Sequence, residues 1–366
     1  NPIIEPESAM ESLAARFVII GSGGSSSLPN LRHVLQKDAN CQVCQEAWSN
    51  PVSKNRRLLV TIKSSPADQH LLVDCGKTFE EAVRRHFPTL GVQGVNAVLL
   101  THGHADAILG LDSLREVQLA REPAECWTLQ AKTPIYATAD TVKEIWHHFH
   151  YMLPADSGEI AEGPTLRRRA SASRIVGGLV PNCVEEFETF QPLPGFEVQP
   201  LPVLHGGTYV CMGFRFGMHG EVLYLSDVSK VPDKTMAVLK ASRAEVLVVD
   251  ALLKSGPSYS HFGLAQALEL VRALRPKRAL LVGMSCQFDH ERDNAELRKL
   301  RMEGLEVELA FDGLQFDLQM EAALPIPEAE EDGSYELQLP AQTRRTAWLR
   351  QLATQKRFMP SICQCC

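Results

Sequence analysis

The sequence predicts a layered α/β protein. Short apolar runs of strand length alternate with segments of helical spacing, most regularly in the last third of the chain, and this alternation is typical of α/β proteins. Hydrophobic residues make up 45% and charged residues 22% of the 366 residues, which are the proportions of a soluble globular protein. No apolar run approaches the roughly 20 residues of a membrane-spanning helix, so no membrane span is expected. The length suits either two domains or one large domain with insertions.

Strands are predicted where short apolar runs end at turn residues or polar loops. The predicted strands cover residues 16–20, 58–63, 71–74, 95–101, 133–137, 200–204, 209–216, 221–226, 245–250 and 278–284, with a hairpin between 209–216 and 221–226. Helical spacing of the apolar residues predicts helices over 79–87, 108–118, 141–151, 261–274 and 294–302. A mobile or helical lead-in is expected over 1–15, a surface loop over 157–178, and a partly disordered, Pro- and Glu-rich extension over 319–366.

The net charge of the chain limits the kinds of partner that the protein is expected to bind. The net charge of −7 and the sequence pI near 6.0 argue against a large nucleic-acid surface, which needs a basic face. Basic clusters at 54–57, 167–169 and 344–345 are interpreted as solvated faces or loops. Nucleic acid is not excluded, because a small basic rim around a metal site would hardly change the net charge. Ten cysteines are too few for a disulfide framework, and no secretory signal opens the chain, so a cytoplasmic location is expected.

The candidate metal ligands follow predicted strands. His102, His104 and Asp106 lie in one loop directly after the strand that ends at residue 101, in the order His-x-His-x-Asp. His205 and Asp227 each follow a later predicted strand. Imidazole and carboxylate groups together suit zinc or another first-row divalent ion. An ordinary polar loop would explain the first pair of histidines alone, but the recurrence of such residues at strand ends favours a metal site.

These motifs resemble the metallo-β-lactamase superfamily of hydrolases. The Gly/Ser-rich turn at 21–29 is similar to the branch that contains tRNase Z and phosphoribosyl cyclic phosphate phosphodiesterase, and the run 102–115 is most similar to eukaryotic members of that branch. The resemblance covers roughly residues 16–318, with Phe-Asp-Gly at 311–313 similar to the terminal strand motif. It implies an αββα sandwich, in which two mixed β-sheets are flanked by helices, with an insertion around 123–200.

The resemblance also assigns ligands. His102, His104 and His205 match the ligands of one metal, Asp227 matches the carboxylate that bridges two metals, and Asp106 matches a ligand of the second metal. The implied cofactor is Zn²⁺ or Mn²⁺, as one or two ions.

Two positions depart from the family pattern. Ala107 and Gly283 stand where the family has histidine ligands of the second metal. Either one metal suffices, or His290 acts as a substitute ligand or contacts the substrate. A surface or helix N-terminal role for His290 explains it equally well.

His261 matches a histidine that in this branch acts near the leaving group or the phosphate. General acid catalysis would suit an imidazole there. The alternative is a helix-capping or packing histidine.

A second set of ligands is expected to bind a structural zinc ion. Cys41 and Cys44 form a Cys-x2-Cys pair, which is half of a tetrahedral site. In the resembling family a cysteine-rich loop is joined by a histidine beyond the last metal ligand, and the matching positions here are His33 and Cys286. The four ligands would form a Cys3His set. Compared with the family, the residue types are exchanged, because His33 lies in the first loop and Cys286 stands at the position of the later histidine. Buried apolar cysteines are the alternative.

The resemblance therefore implies a metal-dependent phosphodiesterase that acts on a small, cyclic phosphodiester through a metal-activated water. Asp106 would orient or deprotonate that water, and His261 would protonate the departing oxygen. A tRNase Z-like ribonuclease is one alternative, and a catalytically decayed metal- or ligand-binding protein is another, because Ala107 and Gly283 have replaced ligands. Relatives often form dimers, so a homodimer is an expectation of the same resemblance.

Overall fold

A computed structural model describes residues 12–36, 40–66, 68–118, 120–121, 128–129, 132–153 and 178–324. These described residues do not include most of the expected lead-in, residues 157–177 of the loop predicted over 157–178, the basic clusters at 167–169 and 344–345, or the tail from residue 325. Within them, no helix is both long enough and apolar enough to cross a membrane.

Sixteen strands are present in the described part of the chain. They are β1 Ser12–Gly21, β2 Thr61–Pro66, β3 Leu71–Val73, β4 Ala97–Leu99, β5 Ala120–Arg121, β6 Thr128–Leu129, β7 Thr133–Ala137, β8 Leu179–Cys183, β9 Phe190–Leu193, β10 Phe196–Leu204, β11 Val210–Phe216, β12 Val222–Leu225, β13 Val246–Asp250, β14 Arg278–Val282, β15 Val307–Leu309 and β16 Leu314–Glu321.

The helices lie mainly on the outer faces. They are α1 Leu31–Leu35, α2 Gln42–Ser49, α3 Phe79–Leu90, α4 Ala105–Ile108, α5 Leu111–Leu114, α6 Ala139–Phe149, α7 Asp233–Ala241, α8 Leu264–Leu274 and α9 His290–Leu297, with short 3₁₀ turns at Arg115–Val117, His150–Met152 and Arg298–Glu303.

Two seven-stranded sheets form the centre of the molecule. Their strand orders are β16-β1-β2-β3-β4-β7-β8 and β15-β14-β13-β12-β11-β10-β9. In each sheet one half pairs antiparallel and the other half, β3-β4-β7-β8 or β12-β13-β14-β15, pairs parallel. The two mixed sheets confirm the predicted α/β sandwich, and β11 and β12 form the predicted hairpin.

Three apolar layers hold the sandwich together. Alternation along β1 shows how the sequence builds two of them, since Phe17 and Ile19 face the second sheet while Val18 and Ile20 face the helices. The inner layer joins the sheets, for example through Phe214 and Phe216. The outer layers pack α3 and α6 on the first sheet and α7, α8 and α9 on the second. The layers therefore stack in the order helices, sheet, sheet, helices, which is an αββα sandwich.

The domain boundaries differ from those expected. β1 begins at Ser12, inside the predicted lead-in, because residues 12–19 pair in register with 314–321 of β16. β16 runs to Glu321, past the expected boundary at 318. The strands β7, β8 and β9 and the first part of β10 fall within the expected insertion at 123–200, yet they belong to the two central sheets.

Several helices differ in extent from the prediction. The expected helix over 108–118 is three short pieces, because the N–H of Gly110 donates to the carbonyl of Cys75 instead of continuing a helix. The expected helix over 294–302 begins earlier, at His290, because the Asp289 side chain accepts from the N–H of Arg292 and caps it.

Candidate metal centre and active site

Three imidazoles converge where strands of both sheets end. His102 and His104 lie between β4 and α4, and His205 directly follows β10. Their candidate ligand atoms all lie within 4.8 Å of one another. The ring centroids are between 4.6 Å and 5.3 Å apart. The fold therefore brings together all three histidines of the first predicted ligand set.

His102 is held in the tautomer that metal binding needs. Its Nδ1 lies 2.8 Å from the Thr101 hydroxyl, which in turn donates to the Asp74 carboxyl group at 2.9 Å. The hydroxyl oxygen is thus left to accept the Nδ1 proton, so the lone pair is on Nε2. That Nε2 is buried and has no hydrogen-bond partner among the described residues. Burial lowers the pKa of His102 to about 4, which keeps the imidazole neutral near pH 7.

His205 and His104 are fixed by different means. His205 is buried, and its Nδ1 donates to the carbonyl of Ser260 at 2.8 Å, which again leaves Nε2 free as a ligand. The exposed ring of His104 stacks on Tyr209, with centroids 4.6 Å apart and an angle of 11° between the planes. Burial of part of the ring lowers the pKa of His104, with a further contribution from the neighbouring imidazole.

Two carboxylates face these imidazoles. Asp106 Oδ1 lies 3.8 Å from His102 Nε2, and Asp227 Oδ1 lies 3.9 Å from His205 Nε2. Asp227 follows β12 with a left-handed φ of 51°, a conformation that turns the chain sharply at the strand end. Burial alone would raise the pKa of Asp227, but the surrounding imidazoles hold it below its usual value.

The residues fit a divalent ion. Three imidazoles with one carboxylate are a donor set suited to zinc, and Nε2 of His102 supplies a lone pair that no other group in the described part of the chain uses. The small pocket beside His102, Asp106 and Asp227 has a volume of about 20 Å³. Such a space holds one small ion or water.

The second metal site of the family is only partly represented. Ala107 packs into the outer apolar layer, and Gly283 follows β14 with a φ of +74°. A Cβ atom at Gly283 would lie 2.3 Å from Oδ1 of Asp250, so this carboxylate fills the space beside the position. A second group of candidate ligands, His205, Asp227 and His261, lies within 4.8 Å but shares His205 with the first.

His261 forms a tight pair with Asp250. Its Nδ1 lies 2.7 Å from Asp250 Oδ2 and 4.0 Å from Asp227 Oδ1. Burial alone would lower the pKa of His261, but the hydrogen bond and charge of Asp250 raise it to about 9. His261 lies three residues before α8, rather than on that helix as predicted, because Gly263 is the N-cap.

Sequence reasoning missed two residues that position the others. Asp74 orients His102 through Thr101, and Asp250 orients His261. Each carboxylate stands at the end of an apolar strand, the same signal that pointed to Asp227, so the signal was present in the sequence for both.

The four predicted ligands of the structural site also come together. Ligand atoms of His33, Cys41, Cys44 and Cys286 lie within 4.8 Å of one another. His33 Nδ1 lies 3.4 Å from Cys44 Sγ and 3.6 Å from Cys286 Sγ. The neighbouring Cys44 thiol lowers the pKa of Cys286 to about 5, which favours a thiolate at neutral pH. The apolar core here consists of little besides Leu28, Val43 and Cys44.

A buried arginine connects this cysteine group to the active site. Arg57 is fully buried and donates to the carbonyls of Ser285 and Phe288, each at 3.2 Å, and to the side chain of Asn55. The segment 285–288 carries Cys286 and begins two residues after Gly283. The interpretation of the 54–57 cluster as a solvated face is therefore wrong for Arg57, and burial lowers its pKa to about 10.

His290 does not join either ligand group. Its ring is buried edge-on against Phe311 at 5.5 Å, and its Nε2 accepts from the Asn294 amide at 3.1 Å. It lines a separate groove together with Lys54 and Arg298. The hypothesis that His290 replaces a lost ligand of the second metal is wrong for this arrangement, because its packing on α9 turns the imidazole to another part of the molecule.

Comparison with known proteins gives one family and one curated relative. The model of the Beta-lactamase superfamily domain matches residues 69–284, which is more than half of the chain. The Octanoyltransferase of Porphyromonas gingivalis (strain ATCC BAA-308 / W83) is 24% identical over 282 residues, which are 77% of this chain and 48% of that protein. The chain thus spans about half the length of the curated relative that it matches.

Solved structures share the fold over most of the chain. A diphosphatase from the PhnP family is 26% identical, with a TM-score of 0.65, over 85% of this chain and 99% of that one. Human tRNase Z, short form, is 16% identical, with a TM-score of 0.50, over 85% of this chain and 100% of that one, and it supports the fold alone. The similarity to the PhnP-family diphosphatase agrees with the branch that the sequence resembles. The family match and the αββα layers together show that the chain belongs to the metallo-β-lactamase superfamily of hydrolases.

Proposed function

We propose that the protein is a metal-dependent phosphodiesterase that hydrolyses a small, cyclic phosphodiester. The observation that carries the proposal is the buried Nε2 of His102, which has no partner among the residues that the structure describes, in a group of three imidazoles with the His261–Asp250 pair beside them. The similarity to a diphosphatase, at 26% identity, supports chemistry at a phosphate group.

His102, His104, His205 and Asp227 would hold one Zn²⁺ or Mn²⁺ ion. When bound, such an ion supplies a water of lowered pKa as the nucleophile and polarises a phosphoryl oxygen. We infer a single catalytic ion, because two ligands of the family's second metal are replaced by Ala107 and Gly283.

The remaining residues act on protons. Asp106, whose carboxylate lies 3.8 Å from His102 Nε2, would orient the attacking water and accept its proton. His261 would donate a proton from Nε2 to the departing oxygen, since its Nδ1 is engaged by Asp250. Asp250 would stabilise the protonated imidazole before the transfer.

The cysteine group would hold a structural zinc ion through His33, Cys41, Cys44 and Cys286. Three thiolates and one imidazole are a closed tetrahedral set, which leaves no position for substrate. Because Cys286 lies three residues after Gly283, this ion would fix the segment that leaves β14 beside the active site.

The two alternatives have less support. A ribonuclease needs basic side chains that can reach RNA. In the basic cluster at 54–57, however, Arg57 is buried and Arg56 pairs with Glu81 at 3.1 Å. A decayed protein would have no reason to retain the orienting contacts of Thr101 and Asp250.

Hydrolysis of bis-p-nitrophenyl phosphate by the metal-loaded protein tests the proposal. We expect turnover by the wild type and its loss in His102→Ala. The matched control is His219→Ala, because His219 is a partly exposed histidine in the β11–β12 turn, at the opposite end of β12 from Asp227. Absence of turnover by a fully loaded wild type would contradict the proposed activity.

A further inference from the structure

The mouth of the active site carries a largely exposed aromatic ring. Tyr259 is 80% exposed, although it lies only two residues before His261. Among the large apolar side chains of the described residues such exposure is uncommon, and on its own a single exposed ring would need no explanation. Its position beside the candidate catalytic groups is what distinguishes it.

The backbone around Tyr259 is fixed by the active site. The next residue, Ser260, accepts a hydrogen bond from the imidazole of His205 at 2.8 Å, and His261 pairs with Asp250 at 2.7 Å. The Tyr259 side chain is therefore presented from a segment that is tied to both a metal ligand and the expected proton donor.

The ring of Tyr259 lies over Gly206 and Gly207, the two glycines that follow His205. A Cβ atom at Gly206 would lie 3.1 Å from the ring, and one at Gly207 would lie 2.6 Å from the phenolic oxygen. Both glycines have positive φ, at +79° and +53°, so the turn after His205 suits glycine on two counts. The two glycines contact one edge of the ring, and most of the ring is open to solvent.

A second ring flanks the same turn. Tyr209 is 40% exposed, stacks on His104, and lies 6.1 Å from the ring of His205. The turn that carries His205 is thus bordered by two tyrosines. One of them is already stacked on a candidate ligand, whereas Tyr259 has an open face.

We infer that Tyr259 is a specificity-determining residue that stacks on the nucleobase of a nucleoside-bearing phosphodiester. The inference rests on the proposed function and names its substrate class. Stacking on an aromatic side chain tolerates any base. A nucleotide-sized substrate suits the net charge of −7 better than a long polyanion does.

Two cyclic phosphodiesters with the same five-membered ring test this inference. One is the cyclic phosphate that bridges the two ribose hydroxyls of adenosine, and the other is glycerol cyclic phosphate, which has no base. We expect the wild type to prefer the adenosine compound in kcat/KM by about 5- to 150-fold. Tyr259→Ala should lose this preference through KM with little change in kcat, and Tyr259→Phe should retain it.

Two controls keep the outcomes separate. Trp48→Ala removes another exposed ring, on α2, and should leave the preference unchanged. AMP binding to the metal-loaded protein, measured by calorimetry, reports stacking without turnover and should weaken only in Tyr259→Ala. Equal kcat/KM for the two esters, or AMP affinity unaffected by Tyr259→Ala, would overturn the inference. If the protein binds AMP in a Tyr259-dependent way but hydrolyses no phosphodiester, the proposed function would be overturned instead.

Discussion

Replacing Asp250 by asparagine removes one charge from the His261 pair while keeping the shape of the side chain. Asp250 is buried, and its carboxylate lies 2.7 Å from His261 Nδ1. A hydrogen bond to an ionised group contributes about 1.5–3 kcal/mol. The pKa of His261 is about 9, so the loss of that bond shows fully only at a pH above this value. There, Asp250→Asn should lower the protonated fraction of His261, and with it proton donation to the leaving group, by about 10- to 150-fold.

The assay compares two leaving groups on the same protein. An alkoxide needs a proton as it departs, whereas a nitrophenolate departs without one. At about pH 10 we therefore expect Asp250→Asn to lower kcat for an alkyl phosphodiester by the full factor and to leave kcat for bis-p-nitrophenyl phosphate nearly unchanged. Metal content must match that of the wild type. Equal losses for both substrates, or no loss for the alkyl ester, would refute the role given to the His261–Asp250 pair.

Three further predictions follow from the packing. Cys41→Ser should remove one metal equivalent and lower the free energy of unfolding by about 3–5 kcal/mol in urea titrations, because the apolar core around Cys41 is small. The control, Cys183→Ser, alters a thiol outside the cysteine group and should keep the metal. Burial lowers the pKa of Lys63 from 10.5 to about 8, so the folded protein binds fewer protons than the unfolded chain between these values, and stability should rise with pH across that window. Lys63→Met should therefore raise the free energy of unfolding by about 3 kcal/mol at pH 7 and by progressively less as the pH approaches about 10.5, and a gain independent of pH would contradict this reasoning. Gly283→His should not restore a second catalytic ion, because its Cβ would lie 2.3 Å from Asp250, and an additional metal equivalent by elemental analysis would show otherwise.

The sequence was most informative where a strand pattern and a ligand type coincide. The His-x-His-x-Asp loop after β4, together with His205 and Asp227, could be predicted because each follows an apolar run that ends abruptly. Strand periodicity locates such ends, and a layered α/β fold brings several of them to the same edge.

Contacts between distant segments could not be predicted in this way. Residues 12–15 at the start of β1, Ser-Leu-Ala-Ala, show no apolar–polar alternation, and only pairing with β16 and β2 makes them a strand. The orientation of His290 depends on Phe311, and the burial of Arg57 depends on the carbonyls of Ser285 and Phe288, which are more than two hundred residues away in sequence. No local pattern reports such partners.

Metal content per chain tests the central claim most directly. Elemental analysis of the wild type, His102→Ala and Cys41→Ser, purified in parallel, should give two ions in the wild type and one in each variant. The ion lost in His102→Ala should be the one whose removal abolishes phosphodiester hydrolysis. Unchanged metal content in His102→Ala would contradict the account, because the buried Nε2 of His102 would then bind no ion.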